Sequence, residues 1–550
     1  MSRFVDTMVA TAAGALGRDK GMTTGEPGTP VRRTWLEVHE RAARAAGALV
    51  AGGVERGAAV AVLAGDPAAI APAVQAVWLA GGSTTMLHQP TARTDLAEWA
   101  EDTLRVLRMI GAELVLLGAP FDALADVLDG HGVAYRRIED LDGDPLPAPV
   151  GVDEDASALL QLTSGSTADP KAVRITHGNL WSNAEAMWTA AELDPEHDVM
   201  VSWLPLFHDM GMVGFLTVPM LFGLELVKVT PVDFLAGPTL WPDLISRYGG
   251  TITAAPNFAY AIAARRMRGV DDGAYDLSRL RIALNGAEPI DPAAVTAFTD
   301  EGERFGLRPE SILCAYGMAE TTLGVAFAPV FTGMAVDVVD PEELEAGKHA
   351  APVPADHPNA RAFPLLGPPL PGLEVRVVDE AGEALGERRV GRLRVRGEAV
   401  TPGYLTVDGP RATRDDEGWL DTGDEGYVVD GQVVVCGRRK DVIIMGGRNI
   451  YPTDIERAAT SVEGVRAGNA VAVRLDAGTR RERFAVVVES RFAGDDEAVR
   501  VLAKEIGARV VDAVGLRPYS VVVLKPGSLP KTPSGKLRRS AAAVLVPAAG

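Results

Sequence analysis

Residues 160–177 read LQLTSGSTADPKAVRITH. An apolar strand over Leu159–Leu162 runs into Thr163, Ser164, Gly165, Ser166 and Thr167, followed by Pro170 and Lys171, and a helix is expected from about Asn179. Small residues let backbone amides approach an anion, hydroxyls add donors, and a lysine adds positive charge. The spacing GxxxxGK[ST] is absent, so this is not a Walker A loop. On composition alone, a solvated Ser/Thr/Gly turn is an equally good reading.

The same strand–loop–helix grammar extends on both sides. Upstream, the spacing predicts a helix over Thr34–Gly52, a strand at Ala58–Leu63, a helix over Ala71–Ala80 and a strand at Glu113–Leu117. Downstream come strands at Thr251–Ala255, Arg281–Asn285 and Ser311–Tyr316, with helices between them. Such alternation implies parallel sheets covered on both faces. From Glu374 the period shortens to alternating strands with glycine turns, which suggests a small antiparallel β subdomain. After Arg438 a separate α+β unit begins, with a strand at Asp441–Met445, a helix near Asp454–Ala459, strands at Ala470–Arg474 and Phe484–Glu489, a helix over Asp495–Val514 and a strand at Ser520–Leu524. The expected fold is therefore α/β: a large N-terminal domain of βαβ sheets (residues 1–437) with a β-barrel-like subdomain at about 366–437, and a smaller α+β domain (441–550). Pro329–Gly372 is rich in Pro, Ala and acidic residues. It reads either as an ordinary surface loop or, at this length, as a functional segment.

Composition narrows the function. There are 54 Lys and Arg against 74 Asp and Glu, a formal charge of −20, which argues against a general nucleic-acid binder. Apolar residues make up 47%, enough for a large core. The two cysteines, Cys314 and Cys436, form no CxxC pair, so a thiolate zinc site is nearly excluded. The N-terminal stretch carries Asp6 inside its apolar run and reads as an amphipathic helix, not a signal peptide. Val213–Val227 contains Pro219 and Glu225 and is too short to span a bilayer. The expectation is a soluble, cytoplasmic protein.

Six further blocks follow the first: SWLPLFHDMG (202–211), NGAEP (285–289), AYGMAET (315–321), GWLDTGDEGY (418–427), GRRKDVIIMGGRNI (437–450) and LPKTPSGKLR (529–538). In order, spacing and wording the chain resembles the adenylate-forming superfamily of acyl-CoA ligases, fatty acyl-AMP ligases, peptide-synthetase adenylation domains and luciferases. WLPLFHDMG, the AE after YGM, and GRNIYPTDIE are most similar to the fatty acyl-AMP ligases.

The resemblance implies ATP-dependent activation of a fatty acid to acyl-AMP with release of pyrophosphate. It implies that Thr163, Ser164, Gly165, Ser166, Thr167 and Lys171 hold the ATP phosphates, and that Glu320 binds Mg²⁺. Gly286, Ala287 and Glu288 would line the adenine pocket, with Tyr316 stacked on the base and Gly317 and Met318 beside it. Asp424 would accept the ribose hydroxyls, helped by Arg438. Lys536 would be the catalytic cation and Lys440 the hinge, within 438–440, about which a mobile C-terminal domain rotates to bring up Gly446 and Gly447. His208 would lie between the acyl tunnel and the reacting carboxylate, although a hydrogen-bonded core histidine is a competing reading. The superfamily mostly has Thr where this chain has Ala319, and Thr321 or Thr322 is expected to compensate.

The acceptor stays open. An inserted segment at Pro329–Gly372 implies transfer to the phosphopantetheine thiol of an acyl carrier protein. Gly446, in GGRN, is the wording of CoA ligases. A non-catalytic nucleotide- or acyl-binding protein on the same scaffold is a third reading, opposed by the intact Lys536, Glu320 and Asp424. The absence of GxSxG leaves a hydrolase without footing.

Overall fold

The computed structural model describes residues 2–90, 94–163, 169–357, 360–445, 448–479, 482–532 and 536–547. Compactness divides the chain into two units. The first comprises Met1–Met334, Gly367–Glu374 and Val395–Leu420; the second comprises Ala335–Leu366, Val375–Arg394 and Asp421–Gly550.

Two eight-stranded sheets build the first unit. One runs in the order Gly324–Phe327, Ile312–Gly317, Ile282–Asn285, Ile252–Ala255, Val199–Ser202, Glu225–Lys228, Gly21–Thr24, Val31–Thr34. Its six inner strands are parallel and its two edge strands antiparallel. The other runs Gly409–Ala412, Gly403–Thr406, Lys171–Thr176, Ser157–Thr163, Ser83–Met86, Ala59–Leu63, Ala112–Leu117, Tyr135–Arg137. Its strands from Ser157–Thr163 to Tyr135–Arg137 are parallel, and the first three pair antiparallel. The inner strands are short and apolar because both faces are buried, as Ala59–Leu63 and Ile252–Ala255 illustrate.

The helices start where local chemistry dictates. Thr34 caps Trp35–Ala51 in a capping box with Glu37, and a glycine, Gly52, ends it. The expected amphipathic N-terminal helix is present as Arg3–Ala13 and Ala15–Asp19. Among the described residues no helix is long and apolar enough to cross a membrane. The apolar run at 213–227 is divided among a wide-turn π-helix (Met210–Thr217), a short α-helix (Val218–Phe222) and a strand (Glu225–Lys228).

The second unit has two parts. A four-stranded sheet, ordered Leu373–Val378, Gly391–Gly397, Leu420–Val429, Gln432–Arg438, lies mostly within it. Its partner is a three-stranded sheet of Val465–Leu475, Arg483–Ser490 and Val521–Leu524 with helices Pro452–Thr460 and Asp496–Val514. One face buries Ile455, Phe484, Val486, Ile506 and Val510. The other buries Val471, Val487, Leu529, Ala542 and Val546.

Pro329–Gly372, left open between an ordinary surface loop and a functional segment, is folded. It carries strands Val336–Val339 and Arg361–Pro364 and helix Pro341–Gly347. Val339, Leu344 and Phe363 share a core with Val390, Tyr427, Val434 and Tyr451. Alternation was too short here to reveal strands, and the apolar residues that anchor them are scattered among Pro and Ala.

Candidate functional site

In the first unit the functional blocks follow the carboxyl ends of parallel strands, where open α/β sheets leave a crevice for ligands. Trp203–Asp209 follows Val199–Ser202, Gly286–Glu288 follows Ile282–Asn285, and Met318–Glu320 follows Ile312–Gly317. Thr163 closes the strand Ser157–Thr163 of the other sheet. Its Oγ1 is buried and has no hydrogen-bond partner among the described residues, as a donor awaiting a ligand oxygen would be. Ser164, Gly165, Ser166 and Thr167 lie outside the described residues, as do Gly446 and Gly447.

Lys171 opens the next strand and pairs opposite Thr163. Its ammonium lies 4.0 Å from the centroid of the Tyr404 ring and 3.5 Å from Glu320 Oε1. Tyr404 Oη donates to the same oxygen at 2.7 Å. Sheet register brings these groups together, because Gly403–Thr406 pairs antiparallel with Lys171–Thr176 and sets Thr406 opposite Lys171. The backbone is tied as well, with Thr401 N donating to the Glu320 carbonyl at 2.7 Å. Glu320 Oε2 takes no hydrogen bond from the described residues.

Among the described residues no three or more His, Cys, Asp or Glu gather as a metal cage. A single hard carboxylate is a donor set that suits magnesium, since that ion keeps several waters and takes its other ligands from a substrate's phosphates. The residues present therefore fit magnesium.

At the neighbouring strand ends, a Cβ on Gly286 would stand 3.1 Å from the Ala315 carbonyl, and Ala287 adopts φ +69°. Glu288 Oε1 accepts from Phe258 N at 2.7 Å. Tyr316 Oη lies 3.9 Å from Met318 Sδ. A Cβ on Gly317 would sit 2.3 Å from the Leu323 carbonyl, so this position admits only glycine without backbone movement. The expected hydroxyl compensation for Ala319 is absent. Thr321 Oγ1 donates to the Met318 carbonyl at 2.9 Å and Thr322 Oγ1 to the Ala399 carbonyl at 3.0 Å, and both residues are fully buried. The tight turn at 319–321 points both hydroxyls into the protein.

The segment bearing His208 is pinned from three sides. Gln161 Nε2 donates to the Phe207 carbonyl at 2.9 Å. Lys228 Nζ donates to the carbonyls of Leu204 and Val229. Burial lowers the Lys228 pKa to about 7, opposed by Asp233. His208 Nδ1 lies 2.7 Å from Asp209 Oδ1 and accepts from Met210 N at 3.3 Å. Behind it, the His88 ring packs edge-on to Phe207 at 5.7 Å, with its pKa lowered to about 4 by burial and by His208. A π-helix follows at Met210–Thr217, a conformation often found at functional sites.

In the second unit, Asp424 and Arg438 are cross-strand partners, with Arg438 Nε 3.2 Å from the buried Asp424 carboxylate. Lys440 is exposed, and its carbonyl accepts from Arg474 at 3.5 Å. Lys536 is tied to Thr532: Thr532 N donates to the Lys536 carbonyl at 2.8 Å, and Lys536 N donates to Thr532 Oγ1 at 3.0 Å. Three residues on, Arg539 grips Glu456 with bonds of 2.9 and 2.8 Å. Burial raises the Glu456 pKa and Arg539 opposes it.

The sequence reading missed Tyr404, Gln161, Lys228 and His88. Each acts through a partner distant in sequence. TPGYL resembles any strand entry, and a lone lysine in a strand gives no sign of burial.

A family model described as AMP-binding enzyme matches residues 17–405. The chain is 56% identical over 549 residues to the putative ligase Rv1013 of Mycobacterium tuberculosis strain H37Rv, covering 99% of this chain and 100% of that one. It is 32% identical over 449 residues to the long-chain-fatty-acid–AMP ligase FadD26 of Mycobacterium marinum, covering 74% of this chain and 76% of the other. Among solved structures, one from a study of fatty acyl-adenylate ligases of E. coli and L. pneumophila matches with a TM-score of 0.89 at 30% identity, covering 98% of this chain and 97% of the other.

Proposed function

The chain belongs to the AMP-binding enzyme family, and from that premise we propose that it activates a fatty acid with ATP and passes the acyl group to the phosphopantetheine thiol of an acyl carrier protein. A carboxylate oxygen attacks the α-phosphorus, the bond to the bridging oxygen breaks, and pyrophosphate leaves. The thiol then attacks the mixed anhydride and AMP departs. No protein nucleophile is needed.

Two anions must meet, so the protein's task is to position them and supply positive charge. The observation that supports this reading is the Lys171–Glu320–Tyr404 cluster near the Thr163 hydroxyl, which has no partner among the described residues, at the carboxyl edge of parallel strands. Thr163, Lys171 and the loop between them hold the β- and γ-phosphates. Glu320 holds magnesium, which when bound neutralises phosphate charge. Gly286–Glu288 and Tyr316–Met318 border the base, while Asp424 accepts the ribose hydroxyls with Arg438 beside it. Lys536 supplies the cation that joins carboxylate and α-phosphate in the transition state. His208 turns Nε2 towards the acid head group. Lys440 is the pivot that withdraws Lys536 after adenylation. The cytoplasm is the compartment that suits such a reaction, because ATP and carrier proteins are at hand there.

Incubation with ATP, Mg²⁺ and a panel of medium- and long-chain acids is expected to release pyrophosphate and accumulate acyl-AMP; silence with every acid removes the reading. Adding a phosphopantetheinylated carrier protein or CoA then separates the acceptors. Gly446, in GGRN, favours CoA as the second reading, and rapid acyl-CoA formation would establish it.

A further inference from the structure

We propose that Tyr404 is a positioning residue for Glu320 that fixes which carboxylate oxygen faces the metal. The inference rests on the adenylate-forming reading and deepens it.

Glu320 Oε1 is engaged twice, by Tyr404 Oη at 2.7 Å and by Lys171 Nζ at 3.5 Å. Oε2 accepts nothing from the described residues. The carboxylate is thus held by one oxygen and presents the other. The two engagements differ in permanence. Lys171, proposed above to bind the phosphates, rests its ammonium on the ring of Tyr404, 4.0 Å from the centroid. Phosphates entering the loop compete for that ammonium, and once it moves Glu320 loses its cationic neighbour. Tyr404 is not mobile in that way. Strand pairing holds it opposite Val173, and Thr401, three residues earlier, binds the Glu320 backbone. The phenol therefore remains the donor on Oε1 while the negative charge of Glu320 becomes available through Oε2. Partners that orient a metal's ligand typically change metal affinity by about 10–100-fold.

Tyr404→Phe keeps the ring under Lys171 and removes only the hydroxyl. The test measures Mn²⁺ affinity by electron paramagnetic resonance at saturating non-hydrolysable ATP analogue, alongside analogue affinity by calorimetry in EDTA. Mn²⁺ affinity is expected to fall about 10-fold, with the EDTA affinity and the melting temperature unchanged. In a Glu320→Gln background, adding Tyr404→Phe is expected to cost nothing further. The proposal is overturned if Mn²⁺ affinity is unchanged, if the EDTA affinity falls by the same factor, or if the two substitutions add. A wild-type protein that binds analogue in EDTA but shows no Mn²⁺ site overturns the metal role of Glu320. One that binds no nucleotide at all overturns the adenylate reading.

Discussion

If Lys536 is the proposed catalytic cation, chemistry and binding should separate most cleanly at that residue. Lys536→Ala is expected to lower acyl-AMP formation by at least about a thousandfold, since it removes a charge made useful chiefly in the transition state. ATP affinity by calorimetry should change little, and retained turnover would remove the assignment. Two buried histidines make a second prediction. Burial lowers the pKa of His88 and of His177 to about 4 from the ordinary 6.5. His177 Nδ1 is bonded to Ser2 Oγ at 2.9 Å, and its Nε2 is buried without a partner among the described residues. With the folded-state pKa depressed, the unfolded chain binds the proton first. The stability due to neutral burial is whole above pH 6.5 and is lost as pH falls towards 4, on the order of 3 kcal/mol for each ring. Urea midpoints should fall between pH 7 and 5, and His177→Gln should flatten that slope; an identical slope counts against it. At this scale, the motif residues were legible because each block is contiguous. Tyr404 was not, because its meaning comes from strand register. Thr321 misled because a turn, not its identity, sets where the hydroxyl points.

Elements were readable where period and caps agreed. The helix Trp35–Ala51 is announced by Thr34, Glu37 and the closing Gly52, and Thr34→Ala is expected to cost about 1 kcal/mol in urea unfolding. The inserted stretch at 329–372 was not readable as folded structure. Its strands have four residues each, too few to show alternation, and its ordering depends on partners elsewhere: Asp337 accepts from Arg388 and from Tyr427 at 2.7 Å. The element preceding His208 depends on a lysine that no pattern revealed. Lys228→Met retains the bulk and removes the donor to the Leu204 carbonyl. We expect a drop in kcat for adenylation with near-normal ATP affinity, because the loosened segment carries His208 and not the phosphate loop. Equal losses in both would point to general disruption instead.

For the whole molecule, the decisive question is whether one protein performs both proposed half-reactions. If Lys440 is the pivot, Lys440→Pro should leave pyrophosphate release within about threefold of wild type while slowing thiol loading by far more, since proline fixes φ at one value. Parallel loss of both half-reactions would place the pivot elsewhere. The parallel sheets and the mixed strands and helices after Arg438 were foreseeable from the alternation of strands and helices. The return of Gly403–Thr406 and Gly409–Ala412 to a sheet begun far upstream was not, because nothing local specifies a distant edge.

The tail that carries Lys536 is stitched down on either side of it. Leu529 is sunk in the core and its amide donates to Glu489 at 2.9 Å; beyond the lysine, Arg539 grips Glu456 and Ala542 and Val546 fill the same apolar face. Trimming back to Arg538 would thus leave the lysine in the polypeptide but cut its mooring. Anyone shortening this protein for crystallisation, or grafting its end onto another scaffold, should find ligase output vanishing while the amine itself is still present.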